Sequence, residues 1–189
     1  MISIRDTALA VRMHNADLAI TLSVNRGCRT RAIRKFFVAV SRLGDGIFWY
    51  TLMLLFPLLY GMEGLRTTLE MFCAGMLALA IYKVLKKQTG RLRPCAISRH
   101  ITPGTAPLDE FSFPSGHTLH AVTFSLVACS ANPGLVIVLV PFTICIALSR
   151  VVLGLHYLSD VMAGALIGAF VVELSQDWIF PYIAAFTKG

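Results

Sequence analysis

Five apolar segments, at roughly residues 47–62, 67–85, 117–132, 134–149 and 151–172, constrain this chain more than any other feature. A bilayer-spanning helix needs ~20 apolar residues. Some of these runs are shorter, so helix ends are expected to extend into the polar residues beside them. A hydrophobic content of 56 % and a mean hydropathy of +0.71 lie outside the range of a soluble domain of this length. The expectation is an all-α fold: a polytopic membrane helical bundle of five transmembrane helices, with a sixth only if part of the N-terminal region inserts. The connections at Glu63–Arg66 and Asn132–Pro133 are too short to hold another domain, and no internal repeat is visible.

Residues 1–46 are mixed in character and 47–189 form the expected membrane domain. From Ala32 to Leu43, the residues Ile33, Phe36, Phe37, Val40 and Leu43 recur at helical spacing opposite Arg34, Lys35 and Arg42. That pattern predicts an amphipathic helix lying in the membrane interface. Arg5, Arg12, His14 and Asp17 interrupt the first apolar stretch, so no cleaved secretory signal is expected. The net charge of +7 sits in loops between apolar runs, which fits membrane topology better than a nucleic-acid partner. The five cysteines form no CxxC pair and no metal-ligand spacing. Cys73, Cys129 and Cys145 read as small hydrophobes, while a Cys28–Cys95 bridge is open only in an oxidising compartment.

One long polar loop, residues 86–116, carries Lys86, Lys87, Arg91, Arg93, Arg99, Asp109 and Glu110, with Pro94, Pro103, Pro107 and Pro114 blocking regular helix. Following the chain back and forth places three clusters at one membrane face. They are Lys86 to Pro94 at the exit of the second span, Pro114-Ser115-Gly116-His117 at the entrance of the third, and Ser149 to Asp160 between the fourth and fifth.

Ionisable groups inside a nearly apolar stretch cost about 2.5–3.5 kcal/mol each on insertion scales, so Arg150, His156 and Asp160 require a reason. One reading makes Arg150 an interfacial anchor and His156 with Asp160 a buried pair stabilising the bundle. The other is functional. Spaced four apart, Asp160 would stack on His156 along one helix face, accept from one imidazole nitrogen and leave the other free to act. Ser115-Gly116 likewise reads either as an ordinary helix cap or as a helix N-terminus that lets a phosphate approach the backbone. His117, just inside that helix, could protonate a leaving oxygen. Lys86, Arg93 and Arg150 would supply positive charge to phosphate oxygens. Lys87, Arg91 and Arg99 read as headgroup anchors. His120 reads as a polar neighbour at the interface, and Glu70 and Glu173 as groups near the opposite face that snorkel to water.

Taken together, Lys86-x6-Arg93-Pro94, Pro114-Ser115-Gly116-His117 and Ser149-Arg150-x5-His156-x3-Asp160 resemble the three-part signature of the type 2 phosphatidic acid phosphatase superfamily. Eleven specified positions, each with a background of roughly 5 %, leave little room for coincidence. The resemblance covers residues 86–160, and residues 1–46 match no motif.

It implies a lipid phosphate phosphatase that works without metal or other cofactor. His156 would attack phosphorus to form a phosphohistidine, Asp160 would orient it, and His117 would protonate the leaving group and then activate water. Lys86, Arg93, Ser115, Gly116 and Arg150 would hold the phosphate oxygens. Implied substrates are phosphatidic acid, phosphatidylglycerol phosphate, undecaprenyl diphosphate or lipid A phosphates. A lipid phosphotransferase shares every motif, and a non-catalytic anionic-lipid binder would need only the cations. Family precedent implies a multi-pass protein of the inner (cytoplasmic) membrane with the pocket on the extracytoplasmic side. The positive-inside rule, weighing the eight basic residues from Arg5 to Arg42 against Arg66 and Lys188, points the other way.

Overall fold

The computed structural model describes residues 8–106 and 109–188. Arg5 and Pro107, named above, lie outside the described residues. The chain runs through α1 (Ala8–Asn25), a 3-10 turn (Arg26–Arg29), α2 (Arg31–Leu43), α3 (Ile47–Thr89), α4 (Pro94–Ile97), α5 (Gly116–Ala131), α6 (Val136–Val152), α7 (Leu158–Trp178) and α8 (Phe180–Lys188). The fold is all-helical: among the described residues the extended pairing amounts to one isolated bridge, Leu92 with Phe111.

Among the described residues, three helical segments are long and apolar enough to cross a membrane: Ile47–Thr89, Pro133–Val152 and Leu158–Trp178. Hydrogen bonding within each helix satisfies the backbone, which lipid cannot do. Their outer faces are apolar, with Leu58 78 % and Ile137 82 % exposed. A surface of that kind belongs against lipid rather than water.

The segment Ile47–Thr89 is two antiparallel arms. Gly61 leaves helical geometry (φ 57°, ψ −130°), in a region glycine enters without penalty. Thr68 then donates to the Met53 carbonyl at 2.6 Å although the two are fifteen residues apart. The sequence places this reversal at 63–66. It falls earlier because Gly61 supplies the turn, leaving 63–66 helical.

The α5 helix sits at the centre, packed on α3, α6 and α7. Gly164 and Gly168 of α7 make the close approach possible. A side chain on either would stand 2.6 Å from the carbonyl of Ser115 or Leu119, the small-residue contact that membrane helices favour. The main core gathers Trp49, Met53, Phe56, Met71, Leu119, Phe124, Leu139, Ile146 and Val171.

The N-terminal region holds more structure than the sequence suggests. The α1 helix, unexpected from its mixed composition, packs against α6 and α7. In α2, Val40 is buried and Phe37 and Val38 pack on Cys28, Leu153 and Leu155. Ile33, Phe36 and Leu43 are exposed. All five cysteines are free.

Candidate active site

Three connections gather most of the polar groups of the candidate site: residues 44–46 between α2 and α3, 90–115 between α3 and α5, and 153–157 between α6 and α7. The last of these holds His156. Gly154 takes a positive φ of 69°, and a side chain there would meet Ile101 at 2.4 Å. The N–H groups of Leu155 and His156 both donate to the Arg150 carbonyl at 3.1 Å.

His156, 2 % exposed, has its Nδ1 2.6 Å from the carbonyl oxygen of Ser112. A carbonyl can only accept, so Nδ1 carries the proton and Nε2 presents its lone pair. Arg93 Nη1 lies 3.1 Å from that Nε2. Burial lowers the imidazole pKa to about 3; Asp160 opposes this, while Arg150 and Arg93 reinforce it. The ring is therefore neutral at physiological pH.

The expected stacking of His156 and Asp160 along one helix does not occur, because His156 precedes α7 and Asp160 lies in its first turn. The two approach at 3.7 Å between Nδ1 and Oδ2, too long for a hydrogen bond. The nearer acceptor is the Ser112 carbonyl. Asp160 Oδ2 instead accepts the Tyr157 N–H at 2.9 Å as part of a capping box.

Lys86 and Arg93 converge on one carboxylate. Lys86 Nζ reaches Asp109 Oδ2 at 2.5 Å, and Arg93 Nη2 reaches Oδ1 at 2.7 Å. Arg93 also donates to the carbonyls of Asp109 (2.7 Å) and Leu155 (2.8 Å). Lys86 further bonds the Tyr82 hydroxyl. Burial alone would raise the pKa of Asp109, but hydrogen bonds from Lys86 and Arg93 outweigh it and hold the carboxyl below its usual range.

Arg150 and His117 line an adjoining cavity of about 280 Å³ with Ser41, Arg42 and Asp45. Arg150 is 3 % exposed. It donates to the Ser41 hydroxyl, and its Nε is a buried polar atom without a partner among the described residues. A buried unpaired guanidinium N–H is costly, so its presence in a cavity wall fits an anion-binding role. His117 Nε2 pairs with Asp45, whose carboxyl is pulled below its ordinary range although burial works to raise it.

Ser115 opens α5 without a side-chain cap. Its N–H donates to the Asp160 carbonyl at 3.0 Å and its hydroxyl pairs with Thr118 at 3.0 Å. Gly116 also has a packing reason to be small: a side chain there would stand 2.8 Å from the Tyr82 ring. His120 hydrogen-bonds back to the Gly116 carbonyl at 3.0 Å, away from the cavity.

Lys86, Arg93, His156 and Asp160 thus form one connected group, His117 and Arg150 line the neighbouring cavity, and Ser115 and Gly116 sit between them. Lys87 and Arg99 are exposed, as headgroup anchors are. Arg91 is not. Its guanidinium bonds Asp160 Oδ1 at 2.6 Å and Asp17 Oδ2 at 2.7 Å. The sequence left out Asp17, Asp45, Arg91, Asp109 and the Ser112 carbonyl. Of these, Asp109 alone carried a signal, as a carboxylate inside a loop otherwise rich in base.

The comparisons with known proteins agree with this fold. The crystal structure of LpxE from Aquifex aeolicus superposes with a TM-score of 0.77 at 25 % identity, over 94 % of this chain and 100 % of that one. The first transmembrane PAP2 type phosphatidylglycerolphosphate phosphatase, from Bacillus subtilis, superposes with a TM-score of 0.69 at 25 % identity, over 92 % of this chain and 88 % of that one. Residues 67–182, which hold all three clusters and the spans that carry them, match the PAP2 superfamily, and the chain belongs to that superfamily.

Proposed function

We propose that the protein dephosphorylates a membrane lipid through a covalent phosphohistidine on His156. The carrying observation is that Arg93 Nη1 lies 3.1 Å from His156 Nε2 while Nδ1 is committed to the Ser112 carbonyl at 2.6 Å. A phosphoryl group held by Arg93 and Lys86, in the place Asp109 occupies, would meet the one imidazole nitrogen that carries a lone pair, as Arg93 Nη1 turns its N–H from Nε2 to a phosphoryl oxygen.

In the first step Nε2 bonds to phosphorus, the P–O bond to the lipid breaks, and His117 gives its proton to the leaving oxygen. In the second, His117 takes a proton from water, the water oxygen bonds to phosphorus, and the N–P bond breaks to release phosphate. Asp160 holds the turn and favours the imidazolium that develops. Lys86, Arg93 and Arg150 stabilise the phosphoryl charge with the Ser115 and Gly116 region, so no metal ion is required. The substrate is a phosphate or diphosphate of the phosphatidic acid, phosphatidylglycerol phosphate, undecaprenyl diphosphate or lipid A type.

The two arms of α3 with α5, α6 and α7 make five passes of the inner membrane, with α2 at the interface and the site on the extracytoplasmic face. Half-buried Cys95 beside Arg93 should then react with an impermeant maleimide on intact cells; labelling only after lysis would reverse the orientation. Purified protein should release phosphate from lipid phosphates in the presence of a chelator, and His156→Ala should lower the rate at least ~10⁴-fold. Strict Mg²⁺ dependence, or full activity in His156→Ala, would refute the mechanism.

A further inference from the structure

We propose that α1 braces the turn carrying His156, with Arg91 as the positioning residue that joins the brace to Asp160. This rests on the reading of His156 as nucleophile and Asp160 as its supporting carboxylate.

Asp160 is fully buried, and a buried carboxylate is tolerable only when its oxygens are satisfied. One oxygen accepts the Tyr157 N–H. The other is held by Arg91 Nη1 at 2.6 Å, the same nitrogen reaching the Ser159 hydroxyl at 2.7 Å. Arg91 Nη2 turns to Asp17 at 2.7 Å, and the guanidinium carbon lies 4.0 Å from the Tyr157 ring centroid. A planar fork can serve two carboxylates and an aromatic face at once, which an ammonium cannot.

From α1, Asp17 also accepts the Ser159 N–H at 3.1 Å, in the first turn of α7. Eight residues on, about two turns along the same face, Asn25 donates to the carbonyls of Val152 at 2.8 Å and Thr102 at 3.0 Å. Its own oxygen accepts the Thr102 N–H at 2.9 Å. One rigid helix therefore grips the backbone just before the 153–157 turn and just after it. Displacing reacting atoms by about 1 Å can cost ~10² in rate, so this grip bears on turnover although neither Asp17 nor Arg91 touches the attacking nitrogen.

The test uses the full chain in detergent with short-chain phosphatidic acid as substrate. Arg91→Gln should lower kcat about 10–100-fold with KM within about 3-fold. Arg91→Lys should recover part of the loss. Asp17→Asn should lower kcat less, and should add nothing on top of Arg91→Gln because the two act as a unit. A folded Arg91→Gln protein with unchanged kcat would overturn the proposal. So would a raised KM at constant kcat, which marks a headgroup contact, or equal losses in the Lys and Gln variants. Should Arg91→Gln fail to fold, Asp17→Asn decides alone: reduced kcat at constant KM supports the brace, and unchanged kcat refutes it. Full activity in His156→Ala would instead remove the underlying mechanism.

Discussion

The two ends of the bundle both have a cavity and both have buried or half-buried charge, yet they are built differently. At the far end, around the Gly61 reversal, Asn132 and the start of α8, the cavity measures about 550 Å³ and is lined by Glu63, Arg66 and Glu70 among others. Its ion pair, Arg66 with Glu70 at 2.9 Å, joins neighbours on one helix. The cavity at the other end is half that size, about 280 Å³. There the polar contacts span the chain: Arg150 with Ser41, Arg93 with His156, Arg91 with both Asp160 and Asp17. Cavity volume therefore does not single out the end proposed to be reactive. Ordering polar groups from six segments in one place carries a large entropic and desolvation cost, and such a cost fits the end proposed to need a fixed geometry for chemistry.

The largest difference between the ends should appear on truncating a cation at each. Arg150→Ala removes a buried guanidinium that faces the cavity, and should lower kcat by ~10²–10³, as loss of one preorganised donor does at comparable anionic sites. Arg150→Lys keeps the charge without the fork and should lose less. Phosphate release from a lipid phosphate reads both. A loss under about 3-fold in Arg150→Ala would erase the distinction between the ends.

A smaller effect concerns pH. His156 stays neutral in the folded state down to about pH 3, whereas an unfolded histidine takes up its proton near 6.5. Between those values the unfolded chain binds more protons, so stability falls as pH falls. One such group contributes a slope of up to about 1.4 kcal/mol per pH unit in that window. The midpoint of thermal denaturation in detergent, followed from pH 6.5 to 4.5, should drop less steeply in His156→Asn than in the unaltered protein. Equal slopes would mean that His156 is not held neutral.

The sequence carried the reactive end further than the fold around it. The motif residues were legible because a charge or a fixed Ser-Gly-His triplet inside apolar runs has few cheap explanations. The partners were not. Asp17 lies in α1, whose composition gave no helical face, and Asp45 lies in a three-residue connection. Arg91 looked like any basic residue beside a span. What distinguishes it is a contact across sixty-nine residues with Asp160, and no local pattern encodes such a contact. The same limit explains the misplaced reason for the His156 and Asp160 pairing: spacing of four fits a helix, but Gly154 ends the helical path before His156 and α7 resumes after it. Gly116 was read as letting a phosphate approach the backbone, while its close contact with the Tyr82 ring was not legible.

The sharpest control on the comparison is the smallest predicted effect. Arg66 and Glu70 sit four apart on one helix, with side chains 32 % and 11 % exposed. Pairs of this kind contribute about 0.3–1 kcal/mol, because the gain in Coulomb attraction is offset by side-chain ordering and screening. Removing both partners together, as in Arg66→Gln with Glu70→Gln, avoids leaving either charge uncompensated. That double variant should lower the denaturation midpoint slightly and leave kcat and KM within about 2-fold of the unaltered protein. The far end communicates with the network around His156 only along packed lengths of helix, including the arm of α3 that runs from Arg66 to Lys86, and such packing transmits little without a second discrete arrangement. A ten-fold change in kcat from the far-end variant would show that the larger cavity takes part in turnover, and the two ends would then have to be treated as one functional unit.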